Sequence, residues 1–146
     1  MPFAPFKIAQ IDHVVLRVSD MDRLQRFYCE VLGCTVERWQ EDLGLLQLRA
    51  GSSLIDLVDV AGPIGRKGGV APSEQGHNMD HVCLRVEPFD AEAITTYLKT
   101  REVRIGESGM RYGAQGTGPS LYLFDPEGNR VELKAPVTAG ADRLRA

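Results

Sequence analysis

Along residues 13–18, HVVLRV, a period of two places His13, Val15 and Arg17 on one face and Val14, Leu16 and Val18 on the other, the signature of a strand. The following stretch, SDMDRLQRFYCEVLG, changes period. Leu24, Phe27, Tyr28, Val31 and Leu32 fall on one helical stripe, Ser19 with Asp22 resembles a capping box, and Gly33 fits the stop. Strand-like runs follow at about 34–40, 44–50 and 53–60, so the first half reads β-α-β-β-β.

The second half writes the same pattern again. MDHVCLRV at 79–86 answers IDHVVLRV at 11–18, and puts His81, Cys83 and Arg85 on the matching face. A helix is predicted at about 90–100 with Asp90 as its N-cap, then a weak strand near 103–107, then SLYLF and RVELKAP. Between the halves, AGPIGRKGGVAPSEQGHN is rich in Gly and Pro without an apolar period, and reads as a connector. The chain thus divides into module 1 at about 8–60, a connector at 61–78, module 2 at about 79–136, and a tail from 137 to 146, together one domain. Neither module, at about seventy residues, is expected to bury its sheet face alone. The tail TAGADRLRA reads as a frayed end or a short surface helix.

The repeat also carries chemistry. Each first strand has a His and an Arg on the face away from its apolar residues, and polar residues so placed need a reason. Each last strand has an acid between apolar neighbours, Ile55-Asp56-Leu57 and Val131-Glu132-Leu133. A lone strand histidine is more often a hydrogen-bonded structural residue than a ligand, but recurrence together with an acid shifts that balance. Two imidazoles and two carboxylates brought into one cavity by a pseudo-twofold axis make a mixed nitrogen and oxygen set for a divalent transition metal, with positions left for water or substrate. Asp12 and Asp80, on the opposite face, are expected to do strand-entry or turn work. Cys83 reads as a small buried hydrophobe. FDPEGN has the composition of a type I turn from Asp125 to Gly128, setting the register of the strand that carries Glu132. GAQGTG lacks the spacing and the Lys-Ser or Lys-Thr of a phosphate loop, and is expected to be a mobile loop at the cavity mouth.

Composition narrows the class. With 43% hydrophobic and 25% charged residues over 146 positions, the chain can form an ordinary globular core, and no apolar run is long enough for a membrane span or a signal-peptide core. The expected compartment is the cytoplasm. Cys29, Cys34 and Cys83 are an odd number without C-x-x-C spacing, which argues for free thiols. A net charge of −3 with dispersed Lys and Arg offers no phosphate-neutralising stripe, so neither nucleic acid nor membrane is an expected partner.

The paired DHV-x-LRV strands, FYCEVLG in the first helix and LYLFDPEGNRVELK near the end resemble the vicinal oxygen chelate superfamily, which includes glyoxalase I, fosfomycin-resistance enzymes, extradiol dioxygenases and bleomycin-binding proteins. The resemblance spans roughly residues 8–135 and is most specific in the closing D-P-x-G-N-x-x-E-L. It implies an α+β fold of paired βαβββ modules forming a curved mixed sheet, a cup around one divalent metal (Ni, Co, Mn, Zn or Fe), with His13, Asp56, His81 and Glu132 as ligands. Bacterial glyoxalase I is similar but has Glu where this chain has Asp56, so Asp56 would coordinate directly, through water, or not at all. Arg17 resembles the glyoxalase Arg that holds the anionic end of glutathione, with Arg85 as its internal echo. Ser120 and Tyr122 resemble a substrate-side pair of fosfomycin-resistance enzymes, and RYGAQG resembles an R-x-G-A-x-G stretch of a glyoxalase-domain subgroup. The function implied is a metal-dependent lyase or isomerase of glyoxalase type, acting on a small chelating substrate such as a glutathione or other thiol adduct, with Glu132 and then Asp56 as catalytic carboxylates. A homodimer is implied as well. The competing readings are an iron(II) extradiol-type dioxygenase using His13, His81 and Glu132, an antibiotic-modifying thiol transferase, and a metal-free drug-binding module.

Overall fold

The computed structural model describes residues 4–137, so the tail TAGADRLRA lies outside the described residues. The elements run β1 (His13–Val18), α1 (Met21–Arg26), a π turn (Phe27–Val31), β2 (Thr35–Gln40), β3 (Leu45–Ala50) and β4 (Ser53–Asp59). They continue with β5 (Val82–Arg85), α2 (Ala91–Thr100), β6 (Ile105–Gly113), β7 (Gly116–Phe124) and β8 (Arg130–Lys134). The order β-α-β-β-β is therefore written twice, and the class is α+β. Two compact units emerge, one of residues up to Met21 with Tyr28–Ala71, the other of Asp22–Phe27 with the chain from Pro72 onward.

The sheet of the first unit has the order β1-β4-β3-β2. β1 runs parallel to β4, from His13 opposite Leu54 to Val18 opposite Asp59, and the other pairings are antiparallel. Leu16 and Val18 of β1 and Leu46 and Leu48 of β3 are buried in alternation, as the period of two predicts, whereas on β4 the whole run Ile55–Val58 is buried on both faces. Each such side chain removed from water contributes roughly 1.5–3 kcal/mol. The helical stripe holds only in part. Leu24, Phe27 and Tyr28 are buried, Val31 and Leu32 are half-buried, and the last turn widens into the π turn. Gly33, at φ +80°, ends it, and Cys34 N–H donates back to the Tyr28 carbonyl at 2.9 Å.

The second sheet repeats the arrangement in the order β5-β8-β7-β6, with β5 parallel to β8. Leu121, Leu123, Val131 and Leu133 are buried on it, and α2, whose Leu98 is buried, lies against β6 and β7. Asp90 caps α2 as expected, its carboxylate accepting from Ala93 N–H at 3.1 Å. The Asp125 turn also forms: Gly128 N–H donates to the Asp125 carbonyl at 3.0 Å, and the Asp125 carboxylate accepts from Glu127 and Asn129 N–H at 2.9 Å each.

The stretch GAQGTG is not the mobile loop its sequence suggests. The weak strand predicted near 103–107 extends to Gly113, a tight turn at Ala114 and Gln115 follows, and Gly116 pairs with Gly113 as β7 begins. β6 is an edge strand whose Met110 and Tyr112 are exposed, so the apolar alternation that marks a half-buried strand is missing from it. The glycines at the turn are what the hairpin needs, Gly116 sitting at φ +113°.

Candidate functional site

Strand register decides which polar residues meet. In the first unit Val15, Asp56 and Gln47 stand side by side across β1, β4 and β3. Asp56 is 4% exposed, accepts from Gln47 Nε2 at 3.3 Å through Oδ2, and lies 3.9 Å from His13 Nε2. Its other oxygen, Oδ1, is buried with no hydrogen-bond partner among the described residues. A carboxylate oxygen left so is costly unless something cationic or a donor reaches it.

In the second unit the corresponding row is Cys83, Glu132 and Tyr122 across β5, β8 and β7. Glu132 is buried, and His81 Nε2 stands 3.2 Å from its Oε1. The Tyr122 hydroxyl and the Cys83 thiol both hydrogen-bond to the same carboxylate. Burial first, and that bond second, push Tyr122 up, while burial and then the charge of Glu132 hold Cys83 up at about 11. Cys83 is thus a neutral donor at physiological pH rather than an activated nucleophile. The residue as a whole is exposed, not the buried hydrophobe its sequence suggested, while its thiol is partly covered beside Glu132. The Tyr122 ring meets the His81 ring edge-on at 5.3 Å, with the guanidinium groups of Arg111 and Arg130 4.8 and 4.7 Å from its centre.

Asp12 and Asp80 do more than enter a strand. Asp12 Oδ1 lies 2.8 Å from His13 Nδ1, Asp80 Oδ2 lies 2.5 Å from His81 Nδ1, and Arg130 Nη2 holds Asp80 from the other side at 2.5 Å. These contacts raise the pKa of His13, chiefly through the Asp12 bond and then the Asp56 charge, and lower that of Asp80, through its bonds from His81 and then Arg130. An ionised carboxylate only accepts, so Nδ1 is the donor in each Asp contact and Nε2 of His81 is left facing Glu132. Two acceptors 3.2 Å apart repel unless a cation, proton or metal, sits with them. Two donors bound at about 2.1 Å from one ion at an angle of about 100° stand about 3.2 Å apart, so His81 and Glu132 have the spacing of metal ligands, while His13 and Asp56 are wider. The signal for Asp12 and Asp80 was the repeated Asp-His dipeptide itself.

Arg17, expected to hold an anion, is engaged elsewhere. Nε donates to the Gly65 carbonyl at 3.0 Å, Nη1 to Val70 at 3.1 Å and Nη2 to Gly69 at 2.7 Å, clasping the short 3-10 turn Gly65–Gly68 of the connector. Arg85 is exposed at the end of β5, opposite Lys134. Ser120 is buried opposite Lys134 on β7, with Arg111 Nη1 3.4 Å from its hydroxyl. The structure therefore brings His13 to Asp56 and His81 to Glu132, with Tyr122 beside the second pair. Among the described residues no group of three or more His, Cys, Asp or Glu has the arrangement of a metal site, so each unit by itself supplies two ligand-type residues.

Residues 10–133 match the Glyoxalase/Bleomycin resistance protein/Dioxygenase superfamily. The chain belongs to that superfamily. Among its relatives is mouse mitochondrial methylmalonyl-CoA epimerase, 25% identical over 135 residues that cover 88% of this chain and 74% of that one. The lactoylglutathione lyase of Haemophilus influenzae is 28% identical over 130 residues, 85% of this chain and 90% of the other. The crystal structure of a virulence protein from Salmonella typhimurium superposes with a TM-score of 0.74 at 26% identity, covering 90% of this chain and all of that one. Superfamily membership and the doubled fold thus agree with the resemblance in the sequence. No helix among the described residues is long and apolar enough to cross a membrane.

Proposed function

We propose that this member of the superfamily is a metal-dependent lyase or isomerase of glyoxalase type, which moves a proton at a carbon next to a carbonyl of a small, oxygen-chelating substrate. The observation that carries the reading is the repeated pairing of an Asp-anchored histidine with a buried carboxylate on the neighbouring parallel strand. The four residues His13, Asp56, His81 and Glu132 are the proposed ligands. The orphaned Asp56 Oδ1 and the facing acceptors of His81 and Glu132 are the features of this chain that fit a cation. A divalent metal, when bound, supplies Lewis-acid stabilisation of negative charge developing on a substrate oxygen.

The remaining work falls to the protein. Glu132 takes and returns the proton, held in place by the Tyr122 hydroxyl and the Cys83 thiol, with Asp56 as the second carboxylate. Two relatives, an epimerase of methylmalonyl-CoA and a lactoylglutathione lyase, support the reaction class and suggest thioester and thiol-adduct substrates. Elemental analysis of the purified protein is expected to find about one divalent ion per chain, lost in the His13→Ala, His81→Ala double variant. Deuterium uptake from solvent into methylmalonyl-CoA, and turnover of methylglyoxal with glutathione, then test the chemistry. Full metal content in the double histidine variant would overturn the ligand set, and native protein purified without metal would favour the metal-free binding reading; iron-dependent oxygen uptake with a catechol would favour the dioxygenase.

A further inference from the structure

Lys134 is a buried cation without a partner among the described residues. Its side chain is 6% exposed, and its Nζ meets no hydrogen-bond acceptor among the described residues. It stands two residues after Glu132 on β8, on the same face, beside Ser120 of β7. The matching strand of the first unit has Val58 at this place, also buried, in Ile55-Asp56-Leu57-Val58 against Val131-Glu132-Leu133-Lys134. The duplication therefore replaces an ordinary apolar residue by an ammonium in one copy only.

The neighbouring hairpin is shaped around this side chain. A methyl group at Gly113 would lie 2.6 Å from Lys134 Cε, and one at Gly118 would lie 3.1 Å from Nζ. Two glycines of GAQGTG thus admit the lysine rather than a phosphate loop. An unpaired buried ammonium is strongly unfavourable, and such a group is kept only where an anion or a set of acceptors completes it. Ser120 and Arg111 add a hydroxyl and a second positive charge on the same strands.

We propose that Lys134, with Ser120 and Arg111, is an anion-binding subsite that takes a carboxylate or phosphate oxygen of the substrate and so orients the substrate toward Glu132. In assigning that orientation it rests on the reading above; the anion site itself does not need the metal. Lys134 takes the part that Arg17, clasping the connector, does not have free nitrogens to play.

The test titrates the full-length protein as purified with inorganic phosphate and, separately, with propionate, at constant ionic strength against a chloride control, reading thermal stability. Wild-type protein is expected to be stabilised by at least one of them, the larger shift naming phosphate or carboxylate as the source. Lys134→Met is expected to raise the half-saturating concentration about ten-fold or more, with metal content unchanged. His81→Ala is expected to lose metal yet keep the anion response, which separates failure of the metal reading from failure of this one. The subsite is overturned if wild type responds no more than to chloride, if Lys134→Met responds as wild type does, or if the response disappears with the metal in His81→Ala. Should Lys134→Met fail to fold, Gly113→Ala, which displaces Cε, is the second variant, and an unweakened response there overturns the proposal equally.

Discussion

His81 and His13 show how much a neighbouring residue can decide. Each ring is held through Nδ1 by the aspartate immediately before it, so that Nε2 is offered to a carboxylate one strand away. Such an outer carboxylate typically contributes 10–100-fold to metal affinity. Asp80→Ala is therefore expected to weaken divalent metal binding by about that factor, measured by competition with a chelating dye. Asp12→Ala is expected to lose less, since Asp12 lacks an Arg130 to fix it. Arg17 shows the opposite lesson, because its type and strand position suggest an anion holder while its contacts make it a clasp. Replacing it by Met removes three donors from the Gly65, Gly69 and Val70 carbonyls. Water can take over the exposed Gly69 and Val70 carbonyls but not so readily that of buried Gly65, so the cost is set at about 1–3 kcal/mol in urea unfolding, with faster trypsin cleavage at Arg66 and Lys67.

At the scale of elements, the period of two and the helical stripe located nearly every strand and both helices, since a half-buried strand or helix must show its buried face in the sequence. β6 is legible only at its start, near 103–107, because both its faces are largely exposed and its glycines imitate a loop. The bulge between Val36 and Arg38 on β2 was equally silent, although it places Glu37 against Arg49 of β3, at 3.1 Å through both guanidinium contacts. The Arg49 hydrogen bond lowers the Glu37 pKa below its ordinary value. A folded pKa below the unfolded one means that this pair adds stability above the unfolded value, about 4.3, and loses it as pH falls through the folded value. Both groups are exposed, so the effect is small. Glu37→Gln is expected to flatten the fall of urea midpoint between about pH 5 and 3 relative to wild type, without changing the midpoint's slope elsewhere.

For the whole molecule, metal binding and folding should be linked if the four proposed ligands act together. Any ion that binds only the folded chain stabilises it by about 4 kcal/mol at a thousand times its dissociation constant. Dialysis against a chelator is accordingly expected to lower the melting temperature by several degrees, restored by a divalent metal; an unchanged melting temperature would count against the ligand set. The sequence by itself determined the duplication, the α+β class and the recurrence of a histidine and an acid in each half, because each of these is written in periodicity or in repeated motifs, and its closing D-P-x-G-N-x-x-E-L carried the resemblance to the superfamily. The tertiary structure alone decided which residues face one another across strands. Register sets Tyr122 and Cys83 on Glu132, commits Arg17 to the connector, turns GAQGTG into the hairpin that houses Lys134, and leaves Asp56 Oδ1 and Lys134 Nζ without partners among the described residues. Such contacts join residues far apart in the chain through backbone pairing, and no local pattern of residues encodes them.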